Sequence, residues 1–101
     1  MNNITDGYFI LSDEQRRFKA LLSVCPRLEG YWDFSDASCD VERLRNDMSV
    51  LSSGEEVMAK FFMAVWSGQN DFGFDLIDAV KLLDSEHLDV IVRWLVKPEF
   101  P

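Results

Sequence analysis

Few residues in the chain have the chemistry that catalysis requires. The sequence holds one histidine, His87, and two cysteines, Cys25 and Cys39, whereas nucleophilic and metal sites need several such groups at matched spacing. Cys25 precedes Pro26 on the apolar side of a predicted helix, which is typical of a buried structural thiol. Cys39 has acidic neighbours that would raise its pKa, and His87 is predicted to be a partly exposed surface histidine. We predict free thiols, no catalytic residue, no metal and no cofactor.

A second possible site is the acidic loop around Gly73, where Asn70, Asp71, Asp75 and Asp78 supply oxygen atoms. An EF-hand loop places oxygen ligands at its first, third and fifth positions and glycine at its sixth. With Gly73 at the sixth position, the first and fifth residues would be glycine and phenylalanine. The pattern therefore fails, and we predict no calcium site in this loop.

Charge narrows the choice of partners. The net charge is −8 and the isoelectric point is about 4.4, which argues against direct binding to nucleic-acid phosphates or anionic membranes. The acidic residues are unevenly distributed along the chain. Residues 28 to 42 contain acids but no lysine or arginine, and residues 61 to 92 contain six acids and a single lysine, Lys81. Acidic zones of this kind are usually solvent-exposed faces. Their carboxylates can also occupy the positions that phosphates take on the surface of a basic partner.

Aromatic residues support a binding surface as well. Several lie in predicted loops or at the C-terminal end, where those left exposed would act as interface anchors. We therefore predict a partner-binding surface that combines two loop aromatics with loop acids. Its predicted members are Trp32, Asp33, Asp36, Asp71, Phe72, Asp75 and Asp78.

Hydrophobic periodicity predicts an all-α fold, a compact single domain of four or five short helices. The central helix should run from Ser53 to Ser67, with Ser53 and Glu56 forming a capping box and Gly68 as the C-cap. A first helix, capped by Ser12 and Gln15, should cover residues 13–24. Residues 1–7 are predicted to be a loose tail, residues 8–11 an extended lead-in and residues 98–101 a C-terminal tail.

The remaining segments follow from cap signals and spacing. Residues 27–38 show no period and are predicted to form an ordered loop. Asp40 or Cys39 should open the second helix. Asp75 should cap a fourth helix that ends near Asp84, and Asp84 or Ser85 should cap a fifth. The predicted buried stripe of that fifth helix consists of Leu88, Ile91, Val92 and Leu95, with Trp94 beside it.

The run FFMAVWSGQNDFGFDLID, Phe61 to Asp78, resembles a motif of small uncharacterised proteins from plasmids, phages and integrative elements. In those proteins an apolar helix ending in tryptophan leads into a similar acidic turn. The resemblance covers about a fifth of the chain. It implies a mobile genetic element as the setting, where small acidic helical proteins are similar in style to anti-CRISPR and anti-restriction inhibitors.

These observations predict a non-enzymatic, acidic protein-binding inhibitor or adaptor. Its expected partner is a protein with a basic, nucleic-acid-binding surface. No apolar run approaches the roughly 20 residues that cross a bilayer, and the N-terminus lacks the basic region of a signal peptide, so a cytosolic location is expected. Two alternatives remain: a small enzyme or ligand-binding domain that uses residues 68–78 with Cys39 or His87, and an obligate homodimeric subunit.

Overall fold

The computed structural model describes residues 10–101. Within this range the α-helices are α1 (Asp13–Leu22), α2 (Pro26–Glu29), α3 (Val41–Asp47), α4 (Ser53–Ser67), α5 (Leu76–Leu82) and α6 (Ser85–Val96). Strands β1 (Trp32–Asp33) and β2 (Ser38–Cys39) form an antiparallel hairpin, and a 3-10 turn at Met48–Val50 follows α3. The domain is mostly helical, as predicted, with α2 and the hairpin added. The predicted tail at 1–7 and the first half of the lead-in, residues 8 and 9, lie outside the described residues.

Helix α4 is the centre of the core and has the bounds that the sequence predicted. Seven of its 15 residues are buried, so its apolar surface extends well beyond one stripe. Its capping box is formed by Ser52 and Glu55 rather than by Ser53 and Glu56. The Ser52 hydroxyl accepts from the Glu55 N–H at 3.2 Å, and the Glu55 carboxylate accepts from the Ser52 N–H at 2.9 Å. Both pairs have the same spacing, and the extended backbone of Ser52 decides between them.

The predicted end of α4 at Gly68 is confirmed. Gly68 has a φ of 73°, and its N–H donates to the carbonyl of Ala64 at 2.8 Å. In the turn that follows, the Asn70 amide holds the backbone of Phe74 through bonds of 2.7 and 3.0 Å. Asp75 then caps α5 by accepting from the Asp78 N–H, also as predicted.

An aromatic cluster joins α1, the hairpin and α4. The Phe18 ring lies 5.6 Å from Trp32, 5.6 Å from Phe62 and 5.3 Å from Trp66, measured between ring centroids. Aromatic pairs at these separations add to the free energy of burial. The cluster explains why the hairpin is fixed on the core although its strands are only two residues long.

The prediction of a loop at residues 27–38 is therefore wrong. Pro26 begins the short helix α2, where its missing N–H costs no helical bond. In the hairpin, Trp32 pairs with Cys39 and Asp33 pairs with Ser38. Two-residue strands are too short to show an alternating pattern, so the sequence gives no periodic signal for them.

Helices α1, α5 and α6 differ from the prediction in their ends or their buried faces. The Ser12–Gln15 capping box is present, but α1 ends at Leu22 and α5 ends at Leu82. Asp84 caps α6 as predicted. The predicted buried stripe of α6 is wrong in part, because Val90 and Ile91 are buried whereas Val92 and Leu95 are 52% and 55% exposed. The helix is turned so that Trp94 meets Phe61 at 5.7 Å.

Arg17 fastens the C-terminal tail to the helices. Its guanidinium donates to the carbonyls of Lys97 at 2.8 Å and Arg93 at 2.7 Å, and to the Glu99 carboxylate at 2.8 Å. The Trp94 indole N–H donates to the Glu99 carbonyl at 2.9 Å. Residues 98–101 form no helix or strand, but they are held in place, whereas we expected them to trail.

We expect Gly68→Ala to lower the free energy of unfolding by about 1–2 kcal/mol, because alanine is strained at positive φ. Gly30→Ala is the matched control, since Gly30 has a φ of −68° and open space around its Cα. Urea unfolding followed by circular dichroism measures both. Equal effects of the two substitutions would contradict a left-handed cap at Gly68.

Candidate protein-binding surface

The two predicted aromatic anchors are less exposed than the sequence suggested. Trp32 is only 7% exposed and contacts Phe18 and Phe62. Its indole nitrogen has no hydrogen-bond partner within residues 10–101. Phe72 is half-buried, and the Arg45 guanidinium lies 5.1 Å from its ring centroid. The expected exposure of Trp32 is therefore wrong, because the side chain belongs to the core.

The hairpin acids stabilise their own turn. Asp33 accepts from the Ser35 N–H at 3.0 Å, and Asp36 accepts from the Ser38 hydroxyl at 2.5 Å. The hydroxyl and the N–H of Ser35 hold the pKa of the Asp33 carboxyl below its ordinary value. Both carboxylates are exposed, but their nearest partners are local, so their structural role is to fix the turn between β1 and β2.

The acids after α4 form a separate group, which we call the acidic edge: Asp71, Asp75 and Asp78. All three are exposed, and none forms a salt bridge within the described part of the chain. Asp75 also caps α5. Uncompensated carboxylates in one short segment raise the local negative potential, which attracts cationic partners over about one Debye length.

Beside the acidic edge lies an apolar groove of about 340 Å³ between α4, α5, α6 and the C-terminal tail. Its floor consists of the buried residues Phe61, Val65 and Ile91, and its rim includes Leu76 and Leu95. The other lining residues are Ala64, Gly68, Gln69, Asn70, Phe74, Trp94 and Phe100. A groove of this composition is typical of protein-binding sites.

Helix α5 extends the apolar surface beyond the groove. Leu76, Ile77, Val80 and Leu82 are each 49–61% exposed, and only Ala79 of this helix is buried. Soluble monomers rarely leave contiguous large apolar side chains in water, and such patches mark interaction sites. The sequence does indicate this exposed face. Apolar residues occur on more than one side of α5, whereas a helix of seven residues can bury only one side.

A different cleft, of about 500 Å³, brings together Cys25, Asp84 and His87 between α2, α4 and α6. Asp84 orients the imidazole, with its carboxylate 2.7 Å from His87 Nδ1. A nucleophilic cysteine, however, needs a lowered pKa. Burial, together with the charges of Glu55 and nearby acids, raises the pKa of Cys25 to about 12.

Cys39 is no better suited to nucleophilic chemistry. Burial first, and the Asp40 charge second, raise the pKa of its thiol to about 12. Both cysteines are free thiols, as predicted. Within residues 10–101 no group of three or more histidine, cysteine or acidic side chains is arranged to hold a metal ion, and no helix is long and apolar enough to cross a membrane.

No protein-family model matches the chain, and neither the curated proteins nor the solved structures contain a match to it. The case for function therefore rests on the groove and the acidic edge.

We expect both thiols to be slow to alkylate in the native protein at pH 8. A rise in pKa from 9.0 to about 12 lowers the thiolate fraction by about a thousandfold, since each unit is tenfold. Iodoacetamide labelling followed by mass spectrometry, with the urea-unfolded chain as control, should show native rates at least about a hundredfold lower. A native cysteine that reacts faster than its unfolded counterpart would favour the enzyme alternative.

Proposed function

We propose that this protein is a non-enzymatic inhibitor or adaptor that binds a partner protein through the apolar groove and the acidic edge. The observation that carries the proposal is the groove itself, whose rim residues Leu76 and Leu95 are each more than half exposed. Burying such side chains against a partner removes apolar surface from water at about 25 cal/mol per Å². That gain is absent in the isolated chain.

The acidic edge supports a basic partner. Asp71 follows the lining residue Asn70, Asp75 lies between the lining residues Phe74 and Leu76, and Asp78 lies in the first turn of α5. An apolar centre next to charged residues is the usual composition of a protein interface. Opposite charge on the partner would speed association and reject acidic proteins.

The proposal extends to an anti-defence role. A basic surface that ordinarily holds nucleic acid would suit a chain of net charge −8, since carboxylates would occupy the positions of phosphates. An anti-CRISPR-like or anti-restriction inhibitor of a mobile genetic element, acting in the cytosol, would work in this way. The resemblance of residues 61–78 to mobile-element proteins is what suggests this setting, and it stays a prediction.

A homodimer is the second candidate, because the same exposed α5 side chains could pack against a second copy. Its charge weighs against it, since two copies would together carry −16, twice the −8 of one chain, and like charges repel across an interface. Light scattering over a range of protein concentrations separates the two candidates.

We expect the double variant Asp71→Asn/Asp78→Asn to retain a partner about two- to thirtyfold less well, because each surface charge contributes about 0.2–1 kcal/mol. Asp75 is left intact because it caps α5. The measurement is affinity capture by the tagged full chain from a lysate of cells that naturally contain it, at rising salt.

The matched control is Glu14→Gln/Glu42→Gln, which removes the same charge from exposed positions on α1 and α3. A partner retained by the wild type and the control, weakened in the double variant and released by salt supports the proposal. No partner at all, or a partner indifferent to both salt and the double variant, counts against it.

A further inference from the structure

We propose that the occupant of the apolar groove is an amphipathic helix of the partner, with apolar side chains at helical spacing and lysine or arginine along one flank. The inference rests on the proposed function and specifies its ligand. Four properties of the groove support it: its size, the exposed apolar side chains of the helices beside it, the state of its polar groups and the distribution of charge around it.

The groove has room for side chains and not for a whole helix. Its volume is about 340 Å³, whereas a helix with its side chains is about 10–12 Å across. A partner helix would therefore lie over the rim, against Leu76 and Leu95, and insert side chains toward Phe61, Val65 and Ile91. Residues spaced three or four apart on one face of a helix project in this way.

Exposed apolar side chains on the flanking helices extend the surface against which a partner helix would lie. At 3.6 residues per turn, Leu76, Ile77 and Val80 fall within about 100° on one side of α5. On α6, Leu95 is 55% exposed at the opposite rim, whereas Val92 lines a separate cleft beside Arg17 and Leu21. The three residues of α5 are each more than half exposed. A helix seated in the groove would therefore meet exposed apolar side chains at both rims.

Two of the three polar side chains that line the groove, those of Asn70 and Trp94, are already engaged within the chain, and the third, Gln69, is exposed. The Trp94 indole N–H donates to Glu99, and both atoms of the Asn70 amide bond the backbone of Phe74. An extended or polyproline-type peptide needs partners for its own backbone, and the two engaged groups offer it none. A helix forms its backbone hydrogen bonds internally, so it needs no backbone partners from the groove.

The charges around the groove favour a basic ligand and indicate which flank of the bound helix carries its lysines and arginines. The acidic edge adjoins the α5 side of the groove, whereas no charged residue of α6 lines the groove and Arg93 lines a separate cleft with Arg17. Arg93 is paired with Asp89 at 2.6 Å, but the acidic edge has no salt-bridge partner among residues 10–101. Lysine or arginine residues of the bound helix would thus face Asp71 and Asp75.

The test uses fluorescence anisotropy with the full chain and a labelled peptide of about 18 residues, which spans five helical turns. Its leucines are spaced to form one face, and its lysines follow one flank. A scrambled peptide of the same composition keeps the charge but loses the face. Leu95→Ser and Leu76→Ser alter the two sides of the rim, and Val50→Ser removes an apolar side chain that is 71% exposed outside the groove.

We expect the helical peptide to bind at least about tenfold more tightly than the scrambled one. We also expect Leu95→Ser and Leu76→Ser each to weaken binding about tenfold, as truncation of an interface anchor does, while Val50→Ser leaves it unchanged. Circular dichroism verifies that each variant is folded.

Equal binding of both peptides, no binding, or an equal loss in Val50→Ser would overturn the inference. The inference would also be overturned if the mass of the wild-type protein in solution doubled with rising concentration while the mass of Leu95→Ser stayed that of one chain. A second copy of the chain would then occupy the groove. If partner capture still depends on Asp71 and Asp78 while the peptide fails to bind, only the helical ligand is wrong. If capture ignores those acids, the proposed function itself fails.

Discussion

The structure depends on the burial of α4 on more than one face. Seven of its 15 residues are buried, so other elements must surround it. Phe18 and Trp32 cover it from α1 and the hairpin, and Phe62 and Trp66 of α4 each meet both. Helices α5 and α6 contribute only Ala79, Val90 and Ile91 to the buried core. Several of their other apolar residues, among them Leu76, Val80 and Leu95, are therefore left more than half exposed.

That constraint connects the fold to the proposed site. Arg17 bonds the carbonyls of Arg93 and Lys97 at the end of α6 and the Glu99 carboxylate of the tail, and Phe100 lies against Trp94 at a centroid distance of 5.6 Å. The Asn70 amide fixes the turn that contributes Phe74 to the groove. Rigid walls of this kind reduce the entropy lost when a partner binds. The shape of the apolar groove thus depends on Arg17, which lies outside its lining, and on contacts among its own lining residues Asn70, Phe74, Trp94 and Phe100.

The elements that the sequence predicted are those governed by local hydrogen bonding. Gly68, Asp75 and Asp84 end or begin helices as expected, because each cap depends on only a few neighbouring residues. The burial of Trp32 and the rotation of α6 were not predictable, since both depend on contacts between residues distant in sequence. The structure leaves the predicted acids exposed and buries Trp32, and the exposed face of α5 follows from the number of apolar residues on that helix rather than from their periodicity.

The central claim is that the apolar groove is the binding surface. The most direct test is a nitrogen-15 NMR titration of the full chain with the amphipathic basic peptide, following every backbone amide. Shift changes should concentrate at residues 61–80 and 91–100 and leave α3 and the hairpin unaffected. Shift changes centred on residues 28–47, which include Asp33 and Asp36, would contradict the account and move the binding surface to the other acid-rich segment.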